Sequence, residues 1–210
     1  MFSSRSIQLV ERGLFAFGAG CLVFYAAACS QASWFQYRAR ADFERELTLA
    51  LQAEDHDHSA WSNARRERYA EVADEEVRPL GRLDVPDAGL SVMLLEGTDE
   101  TTLNRAVGHI EGTALPGQRG NVGIAGHRDS FFRGLAELEL GDDLSLTTLD
   151  GVAHYQVAQL EVVEPTAVEV LEPTDHDALT LVTCYPFYYV GDAPQRYIVR
   201  ARQVGFDPWR

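Results

Sequence analysis

A thiol, an imidazole and a guanidinium in this sequence each adjoin a short apolar run of strand character. Cys184 follows Leu179-Thr180-Leu181-Val182-Thr183, His127 follows Val122-Gly123-Ile124-Ala125-Gly126, and Arg196 precedes Tyr197-Ile198-Val199. Together these groups have what acyl transfer through a thioester needs. A thiolate attacks a carbonyl, an imidazolium protonates the leaving amine, and a cation donates hydrogen bonds to the tetrahedral oxyanion. Gly126 would let a substrate backbone come close. Polar groups at strand ends can converge on one rim of a sheet, but spacing alone does not bring these three together. His127 could equally cap a turn, Arg196 could pair with a carboxylate, and Cys184 could pack as a small hydrophobe. A thiol and an imidazole with ordinary pKa values, about 8.5 and 6.5, would coexist as thiolate and imidazolium in on the order of one per cent of molecules at pH 7. An uncoupled pair therefore predicts a slow enzyme whose pH–rate profile has two limbs.

The elements around these residues indicate where the chemistry would take place. No charged residue occurs from Gly13 to Tyr37, and most of Leu14 to Ala32 is apolar. That is enough to span a bilayer, which takes roughly 20 residues. Arg5 and Arg12 precede the run, and Trp34, Phe35 and Tyr37 follow it, as an inward basic flank and an interfacial aromatic belt would. Arg38 and Arg40 on the far side weaken the charge asymmetry. The reading is a short cytoplasmic segment (1–12), a transmembrane anchor (13–37) and an exported remainder. A cleaved signal peptide is the alternative, with Cys29 after three alanines as a site for lipidation. Cys21 and Cys29 fall within the apolar run, so Cys184 is the one thiol of the exported part and has no disulfide partner there. That suits a reactive thiol or a buried one equally.

Residues 38–77 lack proline and glycine up to Glu76 and are rich in Ala, Glu, Arg and Leu, which reads as a helical stalk. Asp55-His56-Asp57-His58 within it lacks the Cys/His pairing of a structural zinc site and reads as a solvated helix end, so no metal is expected. From Arg78 onward, short apolar runs alternate with Gly, Pro, Asp and Asn. Candidate strands are 81–85, 90–95, 106–110, 122–125, 144–149, 153–163, 179–183 and 197–204, with short helices at 100–105 and 130–138. This is a mostly β domain (78–210), and eight short strands argue for a small closed barrel or sandwich. The 210-residue chain carries 18 basic and 32 acidic residues, a net charge of −14, and every basic residue is an arginine. Nucleic acid and anionic lipid surfaces are poor partners for such a chain. Without lysine it cannot take up its own acyl product on a lysine side chain.

The words around the three candidates carry a resemblance. Gly108-His109-Ile110-Glu111-Gly112-Thr113-Ala114-Leu115-Pro116-Gly117, followed by Asn121 to Ala125 and Gly126-His127-Arg128-Asp129, resembles the first motif block of the sortases. Leu179 to Phe187, with Ala193-Pro194-Gln195-Arg196-Tyr197-Ile198-Val199, is similar to the nucleophile and arginine strands of that family in its class D variety. The resemblance spans roughly residues 78–204. It implies an eight-stranded sortase-type β-barrel in a single-pass membrane protein with its catalytic domain on the extracytoplasmic side. It further implies cleavage of an LPxTG-like sorting signal between Thr and Gly, and acyl transfer to an amine of the envelope without a cofactor. Cys184, His127 and Arg196 would be catalytic, Thr183, His109 and Asn121 would line the substrate cleft, and the connection from Glu164 to Asp177 would be the recognition loop. Two other exported cysteine enzymes fit less well. L,D-transpeptidases hold their cysteine in a Ser-His-Gly-Cys setting, and papain-like hydrolases place it before the histidine at a helix start. A catalytically silent envelope binding module is the alternative from outside enzymology.

Overall fold

The computed structural model of the chain describes residues 4–53, 79–188 and 192–209. Eight strands form the domain: β1 (Gly81–Val85), β2 (Leu90–Glu96), β3 (Val107–His109), β4 (Asn121–Ala125), β5 (Asp143–Thr147), β6 (Gly151–Val163), β7 (Ala178–Tyr185) and β8 (Gln195–Pro208). They close into a barrel in the order β1-β2-β3-β4-β7-β8-β6-β5. The fold is thus mostly β with short helices, and each expected strand is present. Two strands extend further than the apolar pattern suggested. β7 continues through Cys184 to Tyr185 because it stays paired with β8 as far as Gln195, and β8 runs on to Pro208 because beyond Arg202 it stays paired with β6.

Side-chain alternation decides what lies inside the barrel. Leu179 and Leu181 of β7 are fully buried with Val122 and Ile124 of β4, Leu144 and Leu146 of β5, and Val199 of β8. Fully burying one such side chain contributes about 1.5–3 kcal/mol. The intervening Thr180, Val182 and Cys184 must therefore point outward. Phe132 and Leu135, on the 3-10 helix Phe131–Glu137, complete the core beside Gly126. A Cβ on Gly126 would lie 2.8 Å from the Phe132 ring, so only glycine lets the ring seat there.

The N-terminal part is a single helix, α1 (Ser4–Ala53). Its 50 residues make it about 75 Å long at 1.5 Å per residue, more than twice a bilayer's hydrocarbon core. It is long and apolar enough to cross a membrane, with Leu14, Phe15, Phe17, Leu22 and Phe24 all exposed on its surface. α1 runs unbroken through the expected boundary at residue 37. The remainder of the expected stalk, with Asp55-His56-Asp57-His58, lies outside the described residues.

Beyond the apolar stretch, α1 docks on the barrel. Phe35, Ala39 and Phe43 recur every four residues and so share one helix face. They pack against Met93 of β2, leaving Phe43 and Met93 each 1% exposed. β3 begins level with Leu94, and the Met93 N–H just beyond that ladder donates instead to Gln36 Oε1 at 3.0 Å. Gln36 Nε2 donates to the Arg105 carbonyl. Arg40 donates to Ser91 Oγ at 2.7 Å, and the Arg105 guanidinium lies 5.5 Å above the Phe35 ring.

Candidate active site

Strand register brings the three suggestive residues together. β4 runs parallel to β7 with Asn121 opposite Ala178 and Ala125 opposite Val182, so two residues further on His127 is level with Cys184. β7 and β8 are antiparallel, with Cys184 directly opposite Arg196. All three positions fall on the outer face of the barrel, on adjacent strands spaced about 4.8 Å apart. Each is partly exposed.

Local bonds hold this row in place. The Gly126 N–H donates to the Val182 carbonyl at 3.2 Å, which carries the β4–β7 ladder past the end of β4. The Thr183 hydroxyl donates to the Gly126 carbonyl at 2.7 Å. The His127 carbonyl then accepts from the Phe132 N–H at 3.1 Å, turning the chain into the 3-10 helix. His127 is thus fixed from both sides along its backbone. On β8, Arg196 Nη1 donates to the Gln195 carbonyl at 2.9 Å and the Ala193 carbonyl at 3.3 Å. A guanidinium carries five N–H groups, so this anchoring leaves donors for another acceptor.

The same outer face continues away from the row. Its next level is Ala125, Val182 and Ile198, and the one after is Gly123, Thr180 and Arg200. At Gly123 the surface is covered: a Cβ there would lie 2.9 Å from Thr113, 3.1 Å from Leu171 and 3.2 Å from Ile110. This face is therefore partly exposed at Cys184 and covered at Gly123 by the connections that follow β3 and β6. The connection from Glu164 to Asp177 supplies one cover, through its 3-10 helix Val168–Leu171.

Three further residues expected in the cleft take other places. Thr183 is 2% exposed, faces inward and bonds Gly126, which makes it a support of the row rather than part of its surface. His109 is also 2% exposed. Its Nδ1 lies 3.1 Å from Glu96 Oε1 and its Nε2 3.0 Å from the Ala114 carbonyl, so both ring nitrogens face acceptors and tie β3 to the loop that follows it. Asn121, 2% exposed, lies at the start of β4, away from His127. Its amide nitrogen donates to the Val170 and Glu172 carbonyls and its oxygen accepts from Thr180. His109 and Asn121 are thus both buried and hydrogen-bonded within the protein. Arg200 escaped notice in the sequence, although it lies four residues past Arg196 on one strand and hence on the same face. Among the described residues no three His, Cys, Asp or Glu side chains are grouped as a metal site.

Comparison with known proteins agrees with this geometry. The Sortase domain family matches residues 83–204. Sortase D of Bacillus subtilis (strain 168) is 36% identical over 125 residues, which cover 59% of this chain and 63% of the relative. Among solved structures, the Clostridium perfringens Sortase D5 transpeptidase superposes with a TM-score of 0.62 at 26% identity, covering 81% of this chain and 99% of that one. Sortase E1 of Streptomyces coelicolor, solved with a tripeptide in its active site, gives 0.56 at 31% identity over 62% of this chain and 90% of that one. With a matched domain spanning more than half its length, from within β1 to within β8 and across the positions of the His-Cys-Arg row, this chain belongs to the sortase family.

Proposed function

We propose that this protein is a membrane-anchored cysteine transpeptidase that cuts an LPxTG-like sorting signal between Thr and Gly and passes the acyl group to an amine at the cell surface. The observation that carries this reading is the level row of His127, Cys184 and Arg196 on the outer face of the barrel. The Cys184 thiolate attacks the threonine carbonyl carbon, and Arg196 donates hydrogen bonds to the oxyanion that forms. The tetrahedral species collapses as the imidazolium of His127 gives its proton to the departing glycine nitrogen, leaving a thioester on Cys184. An incoming amine attacks the thioester, loses its proton to His127 and displaces the thiolate. Each carbonyl keeps its oxidation state, so the cycle balances without a cofactor.

In this reading the outer face beside the row is the groove for an extended peptide: its next level offers the small and apolar, partly exposed Ala125 of β4 and Val182 of β7 beside Ile198 of β8, and it is covered at Gly123. The loop from Glu164 to Asp177 is the recognition element in this reading. The tripeptide in the active site of the Streptomyces relative is consistent with a peptide ligand. α1 serves as the single anchor and places the barrel on the extracytoplasmic side. The test is intact mass spectrometry of the full chain in detergent with an LPxTG peptide, with and without a small amine. An adduct on the protein that the amine converts into an amide product is expected. Peptide binding with no adduct would instead establish a silent binding module.

A further inference from the structure

The covered end of the groove contains a polar cluster that takes no part in the chemistry. The Val170 carbonyl, in the middle of the connection from β6 to β7, accepts from Asn121 Nδ2 at 3.2 Å and from Arg200 Nη2 at 2.9 Å. Asn121 Nδ2 also reaches the Glu172 carbonyl at 3.2 Å, and Asn121 Oδ1 accepts from the fully buried Thr180 hydroxyl at 2.7 Å. Carbonyls only accept, so the amide orientation is fixed: NH2 toward the loop, oxygen toward β7. Three strands of the groove floor thus contribute one group each, Asn121 from β4, Thr180 from β7 and Arg200 from β8, to a fastening under the 3-10 helix Val168–Leu171. Leu171 rests above Gly123 at the same level.

We propose that Asn121 and Arg200 are positioning residues that hold the β6–β7 loop in its peptide-binding shape before any substrate arrives. This rests on the reading of that loop as the recognition element. A loop of 14 residues left free would have to be ordered by the ligand, and that entropy cost would appear as weaker binding. Fastened beforehand at Val170 and Glu172, it keeps Leu171 over Gly123 at no such cost. Asn121 is committed to the loop by two hydrogen bonds and Arg200 by one, while Arg200 Nε is buried without a partner. Asn121 is therefore the stronger fastening.

The prediction separates binding from chemistry, because neither residue touches the His127–Cys184–Arg196 row. Asn121→Asp keeps the volume but sets a carboxylate against two carbonyls. It should raise KM for an LPxTG peptide about tenfold, as expected for lost buried hydrogen bonds, with kcat within about twofold of wild type. Arg200→Met should raise KM by about threefold to fivefold, and Arg200→Lys, which retains a donor, should recover part of that loss. Hydrogen exchange on the unliganded full chain is the second readout. Amides of residues 166–173 should exchange faster in Asn121→Asp and Arg200→Met while the β7 and β8 amides stay protected. Unchanged KM together with unchanged loop exchange in both variants would overturn the proposal, as would kcat falling in step with barrel stability. If Asn121→Asp fails to fold, the Arg200→Met and Arg200→Lys pair decides by the same criteria. If the wild-type chain forms no adduct with the peptide, the proposed function falls, and loop exchange alone then decides whether the fastening exists.

Discussion

Two outer faces of the barrel use their polar side chains in opposite ways. Where α1 docks on β2, the backbone N–H of Met93 is met by Gln36, Ser91 bridges Arg40 and Asp84, and Phe43 and Met93 are driven to 1% exposure. On the β4–β7–β8 face, His127, Cys184 and Arg196 stand in register but partly exposed, and the surface beside them is covered at Gly123. The first face is finished and serves attachment. The second is ordered from behind by Thr183 and Gly126, fastened at its far end by Asn121, and left partly exposed in front. An active site built this way keeps its geometry without filling its own cleft, and the supporting residues are then as important as those on display.

Mutations on the two faces should therefore separate activity from attachment. The largest contrast is between two arginines. Arg196→Ala should cut kcat on a sorting peptide by about 10²–10³, the usual effect of removing an oxyanion donor, with the melting temperature unchanged. Arg40→Ala should leave kcat within about twofold. Next is Phe43→Ala, which removes a buried aromatic from the docking face at about 3 kcal/mol. It should release the lower half of α1 to proteolysis while peptide turnover in detergent is retained, and loss of turnover would show the faces to be coupled. Gly126→Ala pushes a methyl group into the Phe132 ring, which should cost about 1–3 kcal/mol in thermal unfolding and slow catalysis by displacing His127. The smallest effect belongs to Thr183→Val, which deletes the bond to the Gly126 carbonyl at about 1 kcal/mol. A fall in kcat larger than the stability loss would confirm that this bond serves the row.

Much of the barrel could be read from the sequence because alternation writes itself into β-strands. Leu179, Leu181 and the polar residues between them announce β7 on their own. Its true end at Tyr185, and the reach of β8 from Gln195 to Pro208, could not be seen, because Cys184 and Arg196 face outward and the exposed Phe206, Asp207 and Pro208 fall outside the apolar runs. Pairing was equally hidden. Nothing local says that β4 lies beside β7, and that neighbourhood is what puts His127 level with Cys184. The resemblance of the two motif blocks supplied the trio before the register did. The partners of His109 and Asn121 could not be read from the sequence, because a polar residue in a recognisable motif is equally able to hold a loop or hold a ligand. Only burial and partners separate the two. Arg200 could have been found from Arg196 by counting four residues along an extended strand.

The central claim is that Cys184 becomes acylated in a row completed by His127 and Arg196. It is tested most directly by mapping the acyl adduct after single-turnover reaction of the full chain with an LPxTG peptide. The account predicts one modified peptide, containing Cys184, in the wild-type chain. It predicts none in Cys184→Ala and a strongly slowed adduct in His127→Ala and Arg196→Ala. An adduct on any other residue, or wild-type rates in either partner variant, would contradict it.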